Sequence, residues 1–251
     1  MIKYKLIIPS YKRQDQIVDK TLKVIDSYNI DPDNVIIFVA NEEEERNYKL
    51  ALKNHKYNNI QLAVPTIGKA RNFIEQKYFK PGDYVVSLDD DLTGIYKWKS
   101  KKLMEKVVDF EKELIQGGYD LMKKEGSKCW GIYAAANPFF MSDSYTTELC
   151  YIIASCYGFI TEHDDFLNRE TNHGEDYEYS IRQFIKNGKV LRFNNYTVKT
   201  KYFGTGGLEE FRNNKYIYDS IRKIEKMFPN YCSLYFRKGG RAELRMKKQK
   251  K

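Results

Sequence analysis

Three consecutive carboxylates, Asp89, Asp90 and Asp91, follow the apolar run in VVSLDDDLTGIYKW. Adjacent acids repel and oppose one another's ionisation unless a cation or a set of donors compensates. An Asp-x-Asp offers the hard oxygen ligands that Mg²⁺ and Mn²⁺ prefer, and such ions usually take one or two carboxylates plus a substrate's phosphates. Asp89 and Asp91 are therefore candidate metal ligands, with room left for a diphosphate. The plainer alternative is that some of the three cap a helix or sit in a turn. A second acidic pair, Glu175-Asp176 in NHGEDYEYSIRQFIKNG, falls in the first turn of an expected helix, where the dipole favours acids that have no further role. At a sheet edge either acid could instead take a proton from an attacking hydroxyl, typically worth about 10²–10⁴-fold.

Basic and small residues could serve the same site. Arg13 and the Lys69, Arg71, Asn72 group can neutralise phosphates or orient a donor, and Gly68 stands where a helix start might accept an anion. As surface charges they would need no function. Gly204-Thr205-Gly206-Gly207 permits close approach of backbone to a ligand, or is only a turn.

The elements that must position these groups alternate in the first third of the chain. Lys5 to Ile8 is an apolar strand stopped by Pro9, and Ile17, Val18, Leu22 and Ile25 recur at helical spacing. VIIFVA (35–40) is a second strand, followed by EEEERNYKLALKN with its acids first and lysines later, the charge order a helix dipole favours. A third strand, IQLAV, ends at Pro65, a helical GKARNFIEQKYF follows, and YVVSL (84–88) is the fourth strand. Strands apolar throughout and separated by helices imply a parallel sheet covered on both faces, whose ligands sit beyond the carboxyl ends of the strands. Ser10 to Arg13, Asn41 to Glu43 and the acid triplet fall at those ends and are expected to converge.

Later regularity is weaker. Leu103, Val107, Phe110 and Leu114 mark a long amphipathic helix expected to end near Gly117-Gly118. CWGIYAAA and ELCYIIASCYGFIT read as β-structure, a helix is expected from Glu175 to the C-cap at Asn187-Gly188, and Val190 to Phe193 is strand-like. Tyr133, Phe139, Phe140, Tyr145, Tyr151 and Tyr157 could form a stacking wall, or could equally be core aromatics.

Length and composition set the frame. The 251 residues, 42% hydrophobic and 31% charged, suit one α/β domain spanning 1–251, and no apolar run is long enough for a transmembrane span. Met1 to Tyr4 leads into a strand without a cleavage site, which reads as an intracellular, cytoplasmic chain. Cys129, Cys150, Cys156 and Cys232 lack disulfide or C-x-x-C spacing and read as free, buried thiols, and His55, His163 and His173 are scattered. Of the net charge of +9, residues 237–251 supply +7, from eight Lys or Arg against one Glu. That basic C-terminal tail is either a solvated end or an arm for a polyanion such as DNA.

Taken in order, IIPSYKR, VIIFVAN, GKARNFI, VVSLDDDL and GEDYEYSIRQFIKNGKVLRF resemble the GT-A nucleotide-sugar glycosyltransferases across most of residues 4–195. The resemblance implies a Rossmann-like, mostly parallel sheet with helices on both faces and a smaller mixed region on the acceptor side. It also implies a UDP-sugar donor and Mn²⁺ or Mg²⁺. Within the group, IIPSYKR, LDDDLTGIYKW and YFGTGGL (202–208) resemble the TET-associated glycosyltransferases of phages, which implies a hydroxymethylated pyrimidine, 5-hydroxymethylcytosine or 5-hydroxymethyluracil, in DNA as acceptor. By this resemblance Asp89 and Asp91 form the DxD pair, Asp91 being the direct metal ligand, with Asp89 or Asp90 nearer the ribose. Pro9, Ser10, Tyr11 and Arg13 line the nucleoside pocket, Arg71 and Asn72 lie beside the donor, and Asp176, next to Glu175, stands where inverting members keep their general base. One departure is visible: VKTKYFGTGG has no histidine where metal-dependent members place a further ligand, and Lys201 would stand there as a fixed charge for the leaving diphosphate. A glycan, lipid or protein acceptor, and a non-catalytic DNA- or sugar-nucleotide-binding module, are the competing readings.

Overall fold

The computed structural model describes residues 1–200 and 213–249. Short runs of branched and aromatic side chains form β1 (Lys5–Pro9), β2 (Val35–Val39), β3 (Ile60–Leu62) and β4 (Tyr84–Leu88). Between them lie α1 (Lys23–Ser27, entered through a wide turn at Val18–Leu22), α2 (Glu42–Ala51) and α3 (Ile67–Phe73, continued by Ile74–Tyr78). β1 pairs in parallel with both β2 and β4, and β2 with β3.

The strand pattern follows from burial on two sides. Leu6, Ile8, Ile37, Val39, Val86 and Leu88 enter one core with Ile25 of α1 and Tyr48 of α2, while Ile7, Ile36, Phe38 and Val85 enter another with Ile74. Because successive side chains alternate between faces, a strand that feeds two cores must be apolar at every position. β2, buried at all five positions, is the clearest case.

After β4 the topology becomes mixed. β5 (Leu92–Ser100) starts directly after the acid triplet and pairs antiparallel with β6 (Leu103–Lys106). Then come α4 (Gly117–Glu125), β7 (Cys129–Ile132), β8 (Tyr145–Thr146), β9 (Cys156–Ile160), α5 (Glu175–Asn187), β10 (Leu191–Phe193) and β11 (Tyr196–Thr200). The eight-stranded sheet runs β3-β2-β1-β4-β9-β7-β10-β8, with β9 and β8 antiparallel to their neighbours. β11 joins β5 and β6 in a separate three-stranded sheet. α4 adds Tyr119 and Met122 to the first core, and α5 adds Tyr179 to the second, so both faces of the large sheet are covered.

Two expectations are corrected here. Leu103 lies in β6, and the helical segment after it does not stop at Gly117-Gly118 but runs to Gly126, which closes it in the left-handed region at φ 71°. Gly118 is small for another reason: a Cβ there would stand 2.8 Å from the indole of Trp130. The basic tail is also partly folded. α6 (Asn214–Met227), β12 (Cys232–Phe236) and β13 (Ala242–Met246) build a third core from Ile217, Ile221, Ile224, Phe228, Cys232, Ala242 and Leu244, packed on Ile181 of α5. All four cysteines are free and buried. No helix among the described residues is long and apolar enough to cross a membrane.

Candidate active site

The carboxyl ends of β1, β2, β3 and β4 open onto a cavity of about 770 Å³. Pro9, Ser10, Tyr11, Arg13, Asn41, Arg71 and the acid triplet line it on the sheet side, and Tyr151, Glu175, Asp176, Asn213 and Tyr216 line it opposite. The predicted convergence of three strand ends therefore occurs, and α5 brings its first turn to the same space.

Within the triplet the three acids have different environments. Asp90 is buried, accepts from the hydroxyl of Ser10 at 2.5 Å and pairs with Arg13 at 2.6 Å; Ser10 in turn meets the hydroxyl of Tyr48 at 2.6 Å. Burial raises the Asp90 carboxyl above its ordinary range against the pull of Arg13. Asp91 shares Arg13 at 3.2 Å, and burial together with Asp89 and Asp90 pushes its carboxyl up to about 6. Asp89 pairs with Arg71 at 3.1 Å and is the most open of the three, with 34% of its side chain exposed. None of them caps a helix: Thr21 donates to the Asp89 carbonyl, and β5 follows.

Asp89 and Asp91 supply hard carboxylate oxygens, and the strong upward push on Asp91 is relieved by a cation, so this donor set fits a divalent ion. Among the described residues no group of three or more His, Cys, Asp or Glu is arranged to hold a metal ion. An ion held by Asp89 and Asp91 would need other oxygens to complete its shell, the common pattern for Mg²⁺ bound with phosphates.

The pair on α5 is divided more sharply. Glu175 is buried, with Oε1 3.1 Å from Arg71 Nε and Oε2 2.9 Å from Arg169 Nε. Burial raises its carboxyl to about 7, while both guanidiniums pull the other way. Arg169, also buried, pairs with Glu75 at 2.8 Å, and Tyr157 accepts a hydrogen bond from Arg71 at 2.8 Å. Asp176 faces the cavity and accepts from the Tyr151 hydroxyl and, at 3.0 Å, from the backbone N–H of Tyr177. Both line the cavity, Glu175 as the ion-pair partner of Arg71 and Arg169, and Asp176 as the acceptor of the Tyr151 hydroxyl.

Several expected residues fall elsewhere. Gly68 and Asn72 do not line the cavity. A Cβ on Gly68 would stand 2.4 Å from the Thr171 carbonyl, so its glycine serves a close backbone crossing, and Asn72 exchanges two 2.9 Å hydrogen bonds with the backbone of Arg169. Asn41 lines the cavity but also caps α2, accepting from Glu44 N at 3.0 Å. Lys201 and the 204–207 glycines lie outside the described residues. The aromatic wall does not assemble: Phe139 and Phe140 are 63% and 61% exposed, Tyr145 is exposed, Tyr157 is buried among the arginines, and only Tyr151 reaches the cavity. Asn172, Asn213 and Tyr216 line it without having been expected; they come from irregular chain and a helix start that carry no motif.

No protein-family model and no curated protein matches the chain. Solved structures do. The S. aureus TarS 1-349 structure in complex with UDP-GlcNAc superposes with a TM-score of 0.62 at 14% identity, covering 91% of this chain and 67% of that one. Glucosyl-3-phosphoglycerate synthase from Mycobacterium tuberculosis, in complex with Mn²⁺, UDP-glucose and phosphoglyceric acid, gives 0.54 at 14% identity over 94% and 84%. The same synthase with Mn²⁺, UDP and glucosyl-3-phosphoglycerate gives 0.53 at 12% over 98% and 88%. These likenesses show the fold, the mixed α/β GT-A arrangement that the sequence motifs implied.

Proposed function

We propose that the protein is a metal-dependent glycosyltransferase that moves a sugar from a UDP-sugar to the hydroxymethyl group of a modified pyrimidine in DNA. The observation that carries the transferase reading is the meeting, across one cavity, of the Asp89–Asp91 wall with Asp176, the two linked through Arg71 and Glu175. UDP-GlcNAc in the TarS structure and Mn²⁺ with UDP in the synthase structure support the donor and the ion.

In this reading Asp89 and Asp91 would hold the ion, which when bound would stabilise negative charge on the departing diphosphate. Arg13 fixes the triplet, and Arg71 joins it to α5, so donor and base keep one geometry. Asp176 takes the proton from the attacking hydroxyl. A base stacked in a duplex cannot enter such a cavity, so the nucleotide must be flipped out or already exposed.

A nucleic-acid acceptor is supported by the folded C-terminal module. Arg237, Lys238 and Arg241 are exposed at the β12–β13 turn, and Tyr218 stacks on the exposed Phe236 at 6.2 Å. Cations beside exposed rings are the usual means of holding a single strand. The test is to incubate the protein with Mn²⁺, a panel of UDP-sugars and DNA containing hydroxymethylated pyrimidines, then weigh the nucleosides. A sugar's mass on the modified base is expected. UDP release with unchanged DNA would transfer the reading to a glycan, lipid or protein acceptor, and no UDP release from any donor would overturn it.

A further inference from the structure

We propose that the Tyr151 hydroxyl is the positioning group for Asp176, holding its carboxylate aimed into the cavity. This rests on Asp176 being the base. Each Asp176 oxygen has one fixed donor: the Tyr151 hydroxyl on Oδ2 and the Tyr177 N–H on Oδ1. What remains of each oxygen's accepting capacity is directed by those two bonds.

The phenol is itself held from several sides. Its ring stacks on Tyr177, with centroids 4.0 Å apart and planes within 14°, and Tyr177 packs on the core of α6, β12 and β13. Ser180 of α5 accepts from Ile152 N at 3.0 Å and donates to the Asp176 carbonyl at 2.7 Å, tying the chain beside Tyr151 to the helix that carries Asp176. Arg192 of β10 donates to the Tyr151 carbonyl at 3.2 Å. A phenol with this many fixings is set before any acceptor arrives, and a preset hydrogen bond costs no reorganisation during the reaction.

The charges around Asp176 explain why it needs this partner. Burial raises its carboxyl, and Asp89 at the end of β4 and Glu175 beside it add negative charge. Against these stand the Tyr151 hydroxyl, the Tyr177 N–H and Arg71 of α3. From the C-terminal hairpin, Tyr235, Arg237 and Glu243 act on Tyr177. A hydrogen bond donated to the charged form favours that form, so its loss raises the pKa.

Tyr151→Phe keeps the stack and removes only the hydroxyl. Carboxyl ¹³C NMR of protein labelled at aspartate, with the Asp176 signal assigned by its loss in Asp176→Asn, should show the Asp176 titration moving up by about one pH unit, tenfold in proton affinity. The acid limb of UDP release from UDP-glucose, with Mn²⁺ present and water as acceptor, should move up by the same amount. A tyrosine that merely packs would leave the titration where it was, and an unmoved Asp176 signal overturns the proposal. If Asp176→Asn transfers sugar at the full rate, the base reading itself has failed. If that variant is inert and Tyr151→Phe still titrates like the parent protein, only the role of Tyr151 is lost.

Discussion

The acid triplet and the Glu175-Asp176 pair are both runs of adjacent carboxylates facing one cavity, and the protein handles their repulsion differently. Around α5 the compensation is internal: Glu175 lies between Arg71 and Arg169, and Asp176 has a phenol and a backbone N–H. At β4 three acids share Arg13 and one contact to Arg71, and Asp91 remains pushed up to about 6. The contrast separates a site complete in itself from one that a cation would complete. Arg71, 2% exposed, belongs to both and fixes their spacing.

The comparison breaks first at Asp176. Asp176→Asn should lower turnover by about 10²–10⁴-fold while leaving UDP-sugar binding by calorimetry unchanged. Equal losses in binding and turnover would place the base elsewhere. Next in size is Arg169→Met, which leaves Glu75 and Glu175 buried with one cation fewer; removing one partner of such a network costs about 3–5 kcal/mol. A urea midpoint close to that of the parent protein would mean that α5 is not held by these pairs.

The two regions also differ in how far the sequence disclosed them. β1 to β4 were readable because strands buried on both faces must be apolar throughout, and their ends placed Ser10, Arg13, Asn41 and the triplet correctly. The α5 side was readable only as a helix start with two acids. Nothing in a linear pattern separates Glu175 from Asp176, because their difference is made by Arg71, Arg169 and Tyr151, which arrive from three other segments. The helix expected from Leu103 failed for a related reason. Phe110 and Leu114 are buried within the helical segment, but Leu103 and Val107 precede it and share the spacing by accident; the chain turns into the helix at Asp109, which accepts from Lys112 N at 2.9 Å. Gly117-Gly118 looked like a helix end because a glycine required by packing against Trp130 has the same letter as one required by backbone conformation.

The charge imbalance at β4 can be sharpened through pH. Burial and the neighbouring Asp89 and Asp90 push the Asp91 carboxyl up to about 6 from an ordinary 3.8, so the fold binds that proton more tightly than the unfolded chain does. Stability from this group is greatest below pH 4 and is lost as pH rises through 6. Asp91→Asn removes the liability. It should make the metal-free protein more stable than the parent above pH 6, by roughly 2–3 kcal/mol, with the difference disappearing below pH 4. Thermal melts across that range, with chelator present, measure it. An equal offset at every pH would mean that Asp91 carries no such repulsion.

The smallest effect concerns the basic hairpin, which stands apart from both acid clusters. Deleting residues after Phe236 would strip β13, with its buried Ala242 and Leu244, from the third core, so loss of binding in a truncated chain would say little about charge. Lys238→Gln, Arg241→Gln and Arg245→Gln alter exposed side chains and leave that core intact. Arg237 is better kept, since it pairs with Glu243. Each phosphate contact contributes about 0.9 to the slope of log affinity against log salt, so the triple variant should flatten the DNA slope by about 2 to 3, with a modest loss of affinity at low salt. An unchanged slope would leave this charge as a solubility feature and remove the main physical support for a nucleic-acid acceptor, without touching the assignment of Asp89, Asp91 or Asp176.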